Sequence, residues 1–323
     1  MALDSIGVLT AGGDAPGMNA AVRAVARTAF AKGLKAHGIQ RAFEGMLEND
    51  IRELGPRDVG GILQRGGTVL QTARYPRFAE IDVQKRAVQI LRDRGIAALV
   101  AIGGDGTMRA SLALHKLGFP VIGIPASIDN DVYGTDIAIG VDTALNTILE
   151  AIDKLRDTAS SHRRAFIVET MGRHCGHLAL MSGITSGAEM TLIPEQEASA
   201  DEVAAAVRDA HERGKTHAII VVSEGASLRA SALKEKLDAM RIGFGFRVTI
   251  LGHVQRGGRP TAWDRLLAAR LGVTAVERLL EGGSGAMLGL RGREVVSVPL
   301  EEAGTRQRPV DLEYYRMGRM LAR

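Results

Sequence analysis

Glycine placement constrains this chain more than any other feature. Its 39 glycines, in 323 residues, gather where short apolar runs stop. Ser5–Ala11 (SIGVLTA) reads as a buried strand and ends on Gly12-Gly13. Ala97–Ile102 ends on GGDGT, and Val121–Pro125 runs into ASIDND. Helical patterns follow these runs at Met18–Lys32, Met108–Leu117 and Gly140–Ser160, where apolar positions recur at three and four. Further predicted strands lie at Ala165–Thr170, His217–Ser223 and Val248–Val254. Short apolar runs alternating with helices indicate βαβ units and parallel sheet. The fold class is therefore α/β, and the length suits two sheets better than one. No Pro/Ser-rich linker or fixed-period repeat is visible, so the chain is expected to cross between lobes inside ordinary loops.

Composition excludes several function classes. The hydrophobic fraction is 46% and the charged fraction 24%, an ordinary globular mixture. No apolar run approaches the length that spans a bilayer, so no membrane role is expected. The start, MALDSIGVLTAGGD, lacks the basic and apolar pattern of a secretory leader. The single cysteine, Cys175, rules out an intrachain disulfide framework, and a cytoplasmic protein is the expectation. Lys and Arg (41) nearly balance Asp and Glu (37), and aromatics make up 4%. That scattered charge argues against a nucleic-acid partner, whereas arginine suits a small phosphorylated ligand.

In doubly wound sheets, ligands sit beyond the carboxyl ends of strands. Gly12-Gly13-Asp14-Ala15-Pro16-Gly17 lets backbone N–H groups approach phosphate oxygens, although it is neither a Walker A loop nor GxGxxG and also reads as a plain strand–helix turn. Gly103-Gly104-Asp105-Gly106-Thr107 permits close approach to a polyphosphate, with Asp105 able to hold Mg2+. GGDGT occurs in several kinase families, so it points to a nucleotide triphosphate and not to an acceptor. In Pro125-Ala126-Ser127-Ile128-Asp129-Asn130-Asp131, one carboxylate can take a proton while another supports metal or loop; an Asx turn is the alternative. Met171–Gly176 and Leu251–Gly258 instead offer cations and free N–H groups that suit a sugar phosphate. His174, Cys175 and His177 crowd one turn without a second ligand pair, so a capped helix start is favoured there over zinc.

Together these segments resemble the phosphofructokinase A family of bacterial 6-phosphofructokinases, ATP-dependent type. The resemblance runs nearly end to end through IGVLTAGGDAPGMNA, RGGTVLQTAR, AIGGDGT, PASIDND, YGTD, EAIDKLRDT, ETMGRHCGH, SEG and LGHVQRGGRPTAWDR. It implies two Rossmann-like three-layer lobes with mostly parallel sheets. Residues 1–138 with 252–305 would form an ATP-binding lobe. Residues 139–251 with 306–323 would bind fructose 6-phosphate and an effector. It implies glycolytic phosphoryl transfer from MgATP to the C1 hydroxyl of fructose 6-phosphate. Gly12 would donate its N–H to the moving phosphoryl. Arg74, Tyr75, Gly104, Asp105, Gly106 and Thr107 would contact the nucleotide, with Asp105 as the metal carboxylate. Asp129 would be the base, beside Ser127 where the family usually has threonine. Arg173 would neutralise the moving phosphoryl, and Met171, Gly172, Glu224, His253 and Arg256 would hold the sugar phosphate. Arg164 and Arg247 match residues that reach in from a neighbouring subunit, which implies a homotetramer. Arg23, Arg27, Arg156, Glu189, Arg213 and Lys215 match the site for ADP or phosphoenolpyruvate as effector. Pro56 replaces a common arginine there, and Arg213 a common lysine.

Pyrophosphate-using relatives usually carry Asp at the position of Gly106 and Lys at that of Ala126, so ATP is favoured as donor. Ala126, Gln71 and Ala110 each stand where glycine is common. The rival readings are a pyrophosphate-dependent enzyme, a kinase for another sugar phosphate, a non-catalytic sensor and a dinucleotide oxidoreductase. The last lacks GxGxxG and its acidic ribose partner. The kinase reading requires Asp105 and Asp129 to share one cavity.

Overall fold

The computed structural model describes residues 3–322. Its strands are β1 (Ser5–Ala11), β2 (Lys35–Ile39), β3 (Ile51–Leu54), β4 (Ala98–Gly103), β5 (Val121–Pro125), β6 (Arg164–Thr170), β7 (Met190–Leu192), β8 (Ala218–Ser223), β9 (Gly245–Ile250), β10 (Ala286–Arg291) and β11 (Glu294–Pro299). Two compact units result. One is Met1–Thr143 with Arg256–Arg308, the other Ala144–Gln255 with Pro309–Arg323.

The first unit holds a seven-stranded sheet in the order β11-β10-β5-β4-β1-β2-β3. Pairing is parallel from β10 to β2, and the edge strands β11 and β3 run antiparallel. β1, β4 and β5 are buried along their whole lengths. Helices on both faces hide such strands, which is why they read as continuous apolar runs without alternation. On one face, Leu9, Leu99 and Ala101 pack with Phe43, Met46, Leu91, Met108 and Leu300. Full burial of one such leucine stabilises by about 1.5–3 kcal/mol. The other face carries the helices Met18–Ala31 and Ala262–Leu280. They approach closely: a Cβ on Gly272 would lie 2.5 Å from the Ala24 Cβ. Chain order reverses between β1 and β4, the kind of switch point where ligands bind in open α/β sheets.

The second unit holds a four-stranded, all-parallel sheet in the order β7-β8-β6-β9. Phe246, Ile220, Val222, Leu233 and Leu237 lie in its core. Its helix Ala200–Glu212 starts with a capping box between Ser199 and Glu202.

Several expected boundaries shift, and two of the shifts have a plain local cause. GGDGT is not a loop ahead of a helix at Met108: the helix begins at Asp105, with Gly104 as its N-cap. Glycine at a helix's first turn costs less than in its interior, so Gly106 does not delay the start. The apolar run Val248–Val254 stops being a strand at Ile250, because Gly252 (φ +54°) turns the chain into a 3-10 helix, Gly252–Arg256.

Candidate active site

The carboxyl ends of β1, β4 and β5 open into a cavity of about 690 Å³ in the first unit. Its lining includes Gly12, Gly13, Arg74, Tyr75, Gly104, Asp105, Gly106, Thr107, Ser127, Asp129 and Arg256. Asp105 and Asp129 therefore share one cavity. Gly12 has φ +83°, a left-handed conformation that strains any side chain. Its carbonyl accepts from the Thr72 hydroxyl at 2.8 Å, which fixes the turn. A Cβ on Gly13 would fall 2.2 Å from Arg256 Nη1. Arg256 itself donates to the Asp14 carbonyl at 3.2 Å, so it lies along the first glycine turn.

The helix Asp105–Lys116 aims its N-terminus at this cavity, and the positive end of its dipole suits anionic oxygens. Asp105 accepts from the Gly106 N–H at 2.6 Å and from Arg109 Nη1 at 2.7 Å. Its side chain stays 30% exposed, and each carboxylate oxygen keeps further acceptor capacity. The Thr107 hydroxyl is buried and makes no hydrogen bond among the described residues. An apolar wall of Phe43, Phe78, Ala79, Ala110 and Ala113 completes the cavity, with the two phenylalanine rings 4.3 Å apart. Such a wall fits a flat base; the polar floor fits phosphates.

The segment carrying Asp129 is braced from behind. The Ala126 N–H donates to the Gly103 carbonyl at 3.0 Å, tying the segment to β4. Ser127 Oγ bonds an Asp131 carboxylate oxygen at 3.0 Å. Asn130, 1% exposed and at φ +53°, accepts from the Ala138 N–H and donates to the Asp136 carbonyl. The Arg308 backbone N–H and guanidinium reach the Asp131 and Asn130 carbonyls at 2.9 and 3.3 Å. Behind this loop Asp264 is fully buried. Its carboxylate accepts from the N–H of Gly140 (2.8 Å) and of Thr143 (2.9 Å), and from the Thr143 hydroxyl (2.5 Å). Burial pushes the Asp264 carboxyl above its ordinary value, the three hydrogen bonds pull it back, and the Asp142 charge adds to the rise.

The second unit gathers Met171, Gly172, Arg173 and Glu224 at the ends of β6 and β8. The Ser223 hydroxyl donates to the Gly172 carbonyl. A Cβ on Gly225 would lie 2.0 Å from the Arg173 carbonyl, so only glycine lets the two turns meet. Arg173 Nε is 3.9 Å from Glu224 Oε1. Buried Gln255 accepts from the Met171 N–H at 3.2 Å and donates to the Gly252 carbonyl at 2.9 Å. It thereby links the end of β6 to the 3-10 turn that carries His253. Arg164 and Arg247 stand on the adjacent strands β6 and β9, where Arg247 pairs with Phe166. The Cys175 segment leads into the helix His177–Ser186, and the Gly176 N–H at its start donates to Glu195.

The residues expected at an effector divide between the units. Arg23 and Arg27 lie one turn apart on Met18–Ala31, and Arg27 donates to the Pro56 carbonyl at 3.0 Å. In the second unit, the buried Glu189 carboxylate holds Lys215 Nζ at 2.8 Å and the Ile219 N–H at 2.6 Å. Arg156 donates to the Ser186 carbonyl, and Arg213 pairs with Asp209 at 2.9 Å. Burial, then the Arg156 charge, lowers the His217 pKa beside them.

Sequence reasoning gave no role to Asp264, Gln255, Arg109 or Arg308. Thr261-Ala-Trp-Asp264 did carry a signal, the helix-start pattern of Thr followed by an acid. That pattern does not reveal that the Asp264 carboxylate serves a different helix.

The phosphofructokinase family model matches residues 5–279. The chain belongs to the phosphofructokinase family. It is 49% identical over 320 residues to the ATP-dependent 6-phosphofructokinase of Clostridioides difficile (strain 630), covering 99% of this chain and 100% of that one. It is 49% identical over 295 residues to the ATP-dependent 6-phosphofructokinase of Streptococcus suis (strain 05ZYH33), 91% of this chain and 88% of that one. Among solved structures, phosphofructokinase from Saccharomyces cerevisiae matches with a TM-score of 0.88 at 37% identity over 93% of this chain. This phosphofructokinase spans 45% of that yeast chain. A pyrophosphate-dependent phosphofructokinase from Marinobacter aquaeolei matches in fold, with a TM-score of 0.87, 21% identity and coverage of 96% of this chain and 86% of that one. Among the described residues, no helix is long and apolar enough to cross a membrane.

Proposed function

We propose that this phosphofructokinase transfers the terminal phosphoryl of MgATP to the C1 hydroxyl of fructose 6-phosphate, giving fructose 1,6-bisphosphate and ADP. One observation carries the reading. Asp105, Asp129, the left-handed Gly12 turn and a helix N-terminus line a single cavity whose other wall is apolar. The relatives named ATP-dependent 6-phosphofructokinase support the choice of substrates. Tyr75, Phe43 and Phe78 favour a nucleoside over bare pyrophosphate, as do Gly106 and Ala126, which bring no charge to the phosphate floor.

The chemistry needs positioning and charge neutralisation more than covalent help. The Gly12 N–H and the first turn Asp105–Thr107 would orient the phosphates. Asp129 would accept the proton of the attacking hydroxyl, and Arg173 would neutralise the transferred group. Met171, Gly172, Glu224, His253 and Arg256 would hold the sugar phosphate. The donor chemistry at Asp105 fits magnesium: one hard carboxylate oxygen beside a phosphate floor. Bound magnesium would neutralise charge on the donor's phosphate oxygens. As further parts of the proposal, Arg164 and Arg247 complete a neighbour's site in a homotetramer. Arg23, Arg27, Arg156, Glu189, Arg213 and Lys215 bind ADP or phosphoenolpyruvate. The enzyme acts in the cytoplasm.

A coupled assay with fructose 6-phosphate and either ATP or pyrophosphate tests donor and acceptor together, and turnover with pyrophosphate alone would refute the donor assignment. Asp129→Asn is expected to lower kcat by ~10²–10⁴-fold with little change in sugar affinity. A near-wild-type kcat would remove Asp129 from the base role.

A further inference from the structure

We propose that Asp264 is a positioning residue that sets the Asp129 loop against the Gly12 turn; this rests on the phosphoryl-transfer reading of those two elements. Asp264 touches neither. It holds the segment Ile139-Gly140, which lies between them. On the acceptor side, the Ile139 N–H donates to the Pro125 carbonyl, and the Ser127 N–H to the Ile139 carbonyl, each at 3.1 Å. Ile139 thus pairs with the start of the Asp129 loop like a one-residue strand. On the donor side, Gly140 (φ +103°) presses on the first glycine turn, since a Cβ there would lie 2.7 Å from the Ala15 Cβ. A Cβ on Gly17 would lie 2.6 Å from the Ile139 side chain and 3.5 Å from the Asp264 Cβ. The whole stack is buried: Asp264, Ile139 and Ala15 are each 0% exposed.

The three donors converge on two carboxylate oxygens, Gly140 on Oδ1 and Thr143 twice on Oδ2. A carboxylate is the natural acceptor for such a set. An amide must turn its NH2 toward at least one N–H. The Thr143 hydroxyl also accepts from the Thr261 N–H at 3.0 Å, so the brace is locked to the helix that carries Asp264. An error here shifts the base relative to the phosphoryl without removing any group that binds either substrate. A misplacement near 1 Å, made away from the chemistry, costs up to ~10²-fold in rate.

The test compares Asp264→Asn, Thr143→Val and Thr143→Ser below their melting temperatures, with melting followed in parallel. Asp264→Asn and Thr143→Val are expected to lower kcat roughly 10–100-fold, with KM for both substrates within about threefold, and Thr143→Ser to restore kcat. Thr143→Val keeps the test alive if Asp264→Asn does not fold. In a cycle with Asp129→Asn, the Asp264→Asn loss is expected to shrink, because both act through one base. A lowered melting temperature with wild-type kcat would overturn the proposal, as would a raised KM with unchanged kcat. A depressed Asp129→Asn whose loss multiplies fully with that of Asp264→Asn would overturn the positioning role alone. Wild-type kcat in Asp129→Asn would bring down the reading of Asp129 as base, and this proposal with it.

Discussion

Gly103→Ala separates steric necessity from chemistry in the cavity floor where β1 and β4 end. Gly103 ends β4 opposite Ala11 of β1. A Cβ at Gly103 would stand 2.3 Å from the Ala11 carbonyl oxygen, 2.3 Å from Thr107 Oγ1 and 3.0 Å from Thr107 Cβ. The Ala11 oxygen is backbone of a central strand, and Thr107 is in the first turn of its helix, so neither swings aside. Reaching even a 3.0 Å contact means opening the β1–β4 end by about 0.7 Å, an overpacking change worth ~1–3 kcal/mol. In a unit of this size, each kcal/mol lowers Tm by ~2–4 °C, so a fall of roughly 2–12 °C is expected. The same opening separates Gly12 from Asp105–Thr107, and kcat should drop about 10–100-fold. Thermal melting by circular dichroism and the coupled assay read the two effects. Gly104→Ala is the steric control, because its Cβ would meet nothing closer than the Ser127 Cβ at 3.9 Å. Its Tm should fall by no more than ~2–4 °C, the cost of placing alanine at a helix N-cap, with no steric loss added. Wild-type Tm and kcat in Gly103→Ala would refute the argument.

Two further outcomes follow from the ionisable groups. Burial lowers the His37 pKa, and its ring Nδ1 lies 3.0 Å from the Ser5 hydroxyl. The unfolded chain therefore binds the proton more readily. Stability should be full above pH 6.5 and fall as pH drops from 6.5 through the lowered folded value. His217 acts in the same direction. Urea midpoints of His37→Gln between about pH 5 and 8 should show a shallower slope than wild type, and equal slopes would exclude the residue as a contributor. At the expected effector site, ADP and phosphoenolpyruvate should shift the fructose 6-phosphate saturation curve. Lys215→Ala, which removes the cation from buried Glu189, should abolish both shifts. A wild-type curve that moves with neither ligand would show that these residues serve only structure.

The α/β class and the central strands were legible because their burial makes them continuous apolar runs. Ser5–Ala11 and Val121–Pro125 have the same limits in sequence and structure. β2 and β3, KAHGI and IREL, were not legible. Each mixes charge with apolar residues because it lies toward an exposed edge. Three-residue β7 is too short to carry a pattern. The start of the helix at Asp105 was hidden because GGDGT has a loop's composition. Only the N-cap geometry at Gly104 shows that Asp105, Gly106 and Thr107 already form a helical turn. Gln71, at a position where the resemblance implied glycine, adopts φ +58°, a conformation that glycine takes without strain.

The order of residues along the chain was enough to mark the buried central strands and the helical patterns between them, and to nominate side chains for phosphate chemistry. Those properties depend on neighbours in sequence. Folding alone decided who braces whom. The Asp264 carboxylate meets Gly140 across 124 positions, and Arg256 reaches the Asp14 carbonyl across 242. Such contacts carry no local signature. A buried carboxylate takes its partners from whichever backbone N–H groups the packed sheet and helices bring to it, and that is a property of three-dimensional packing.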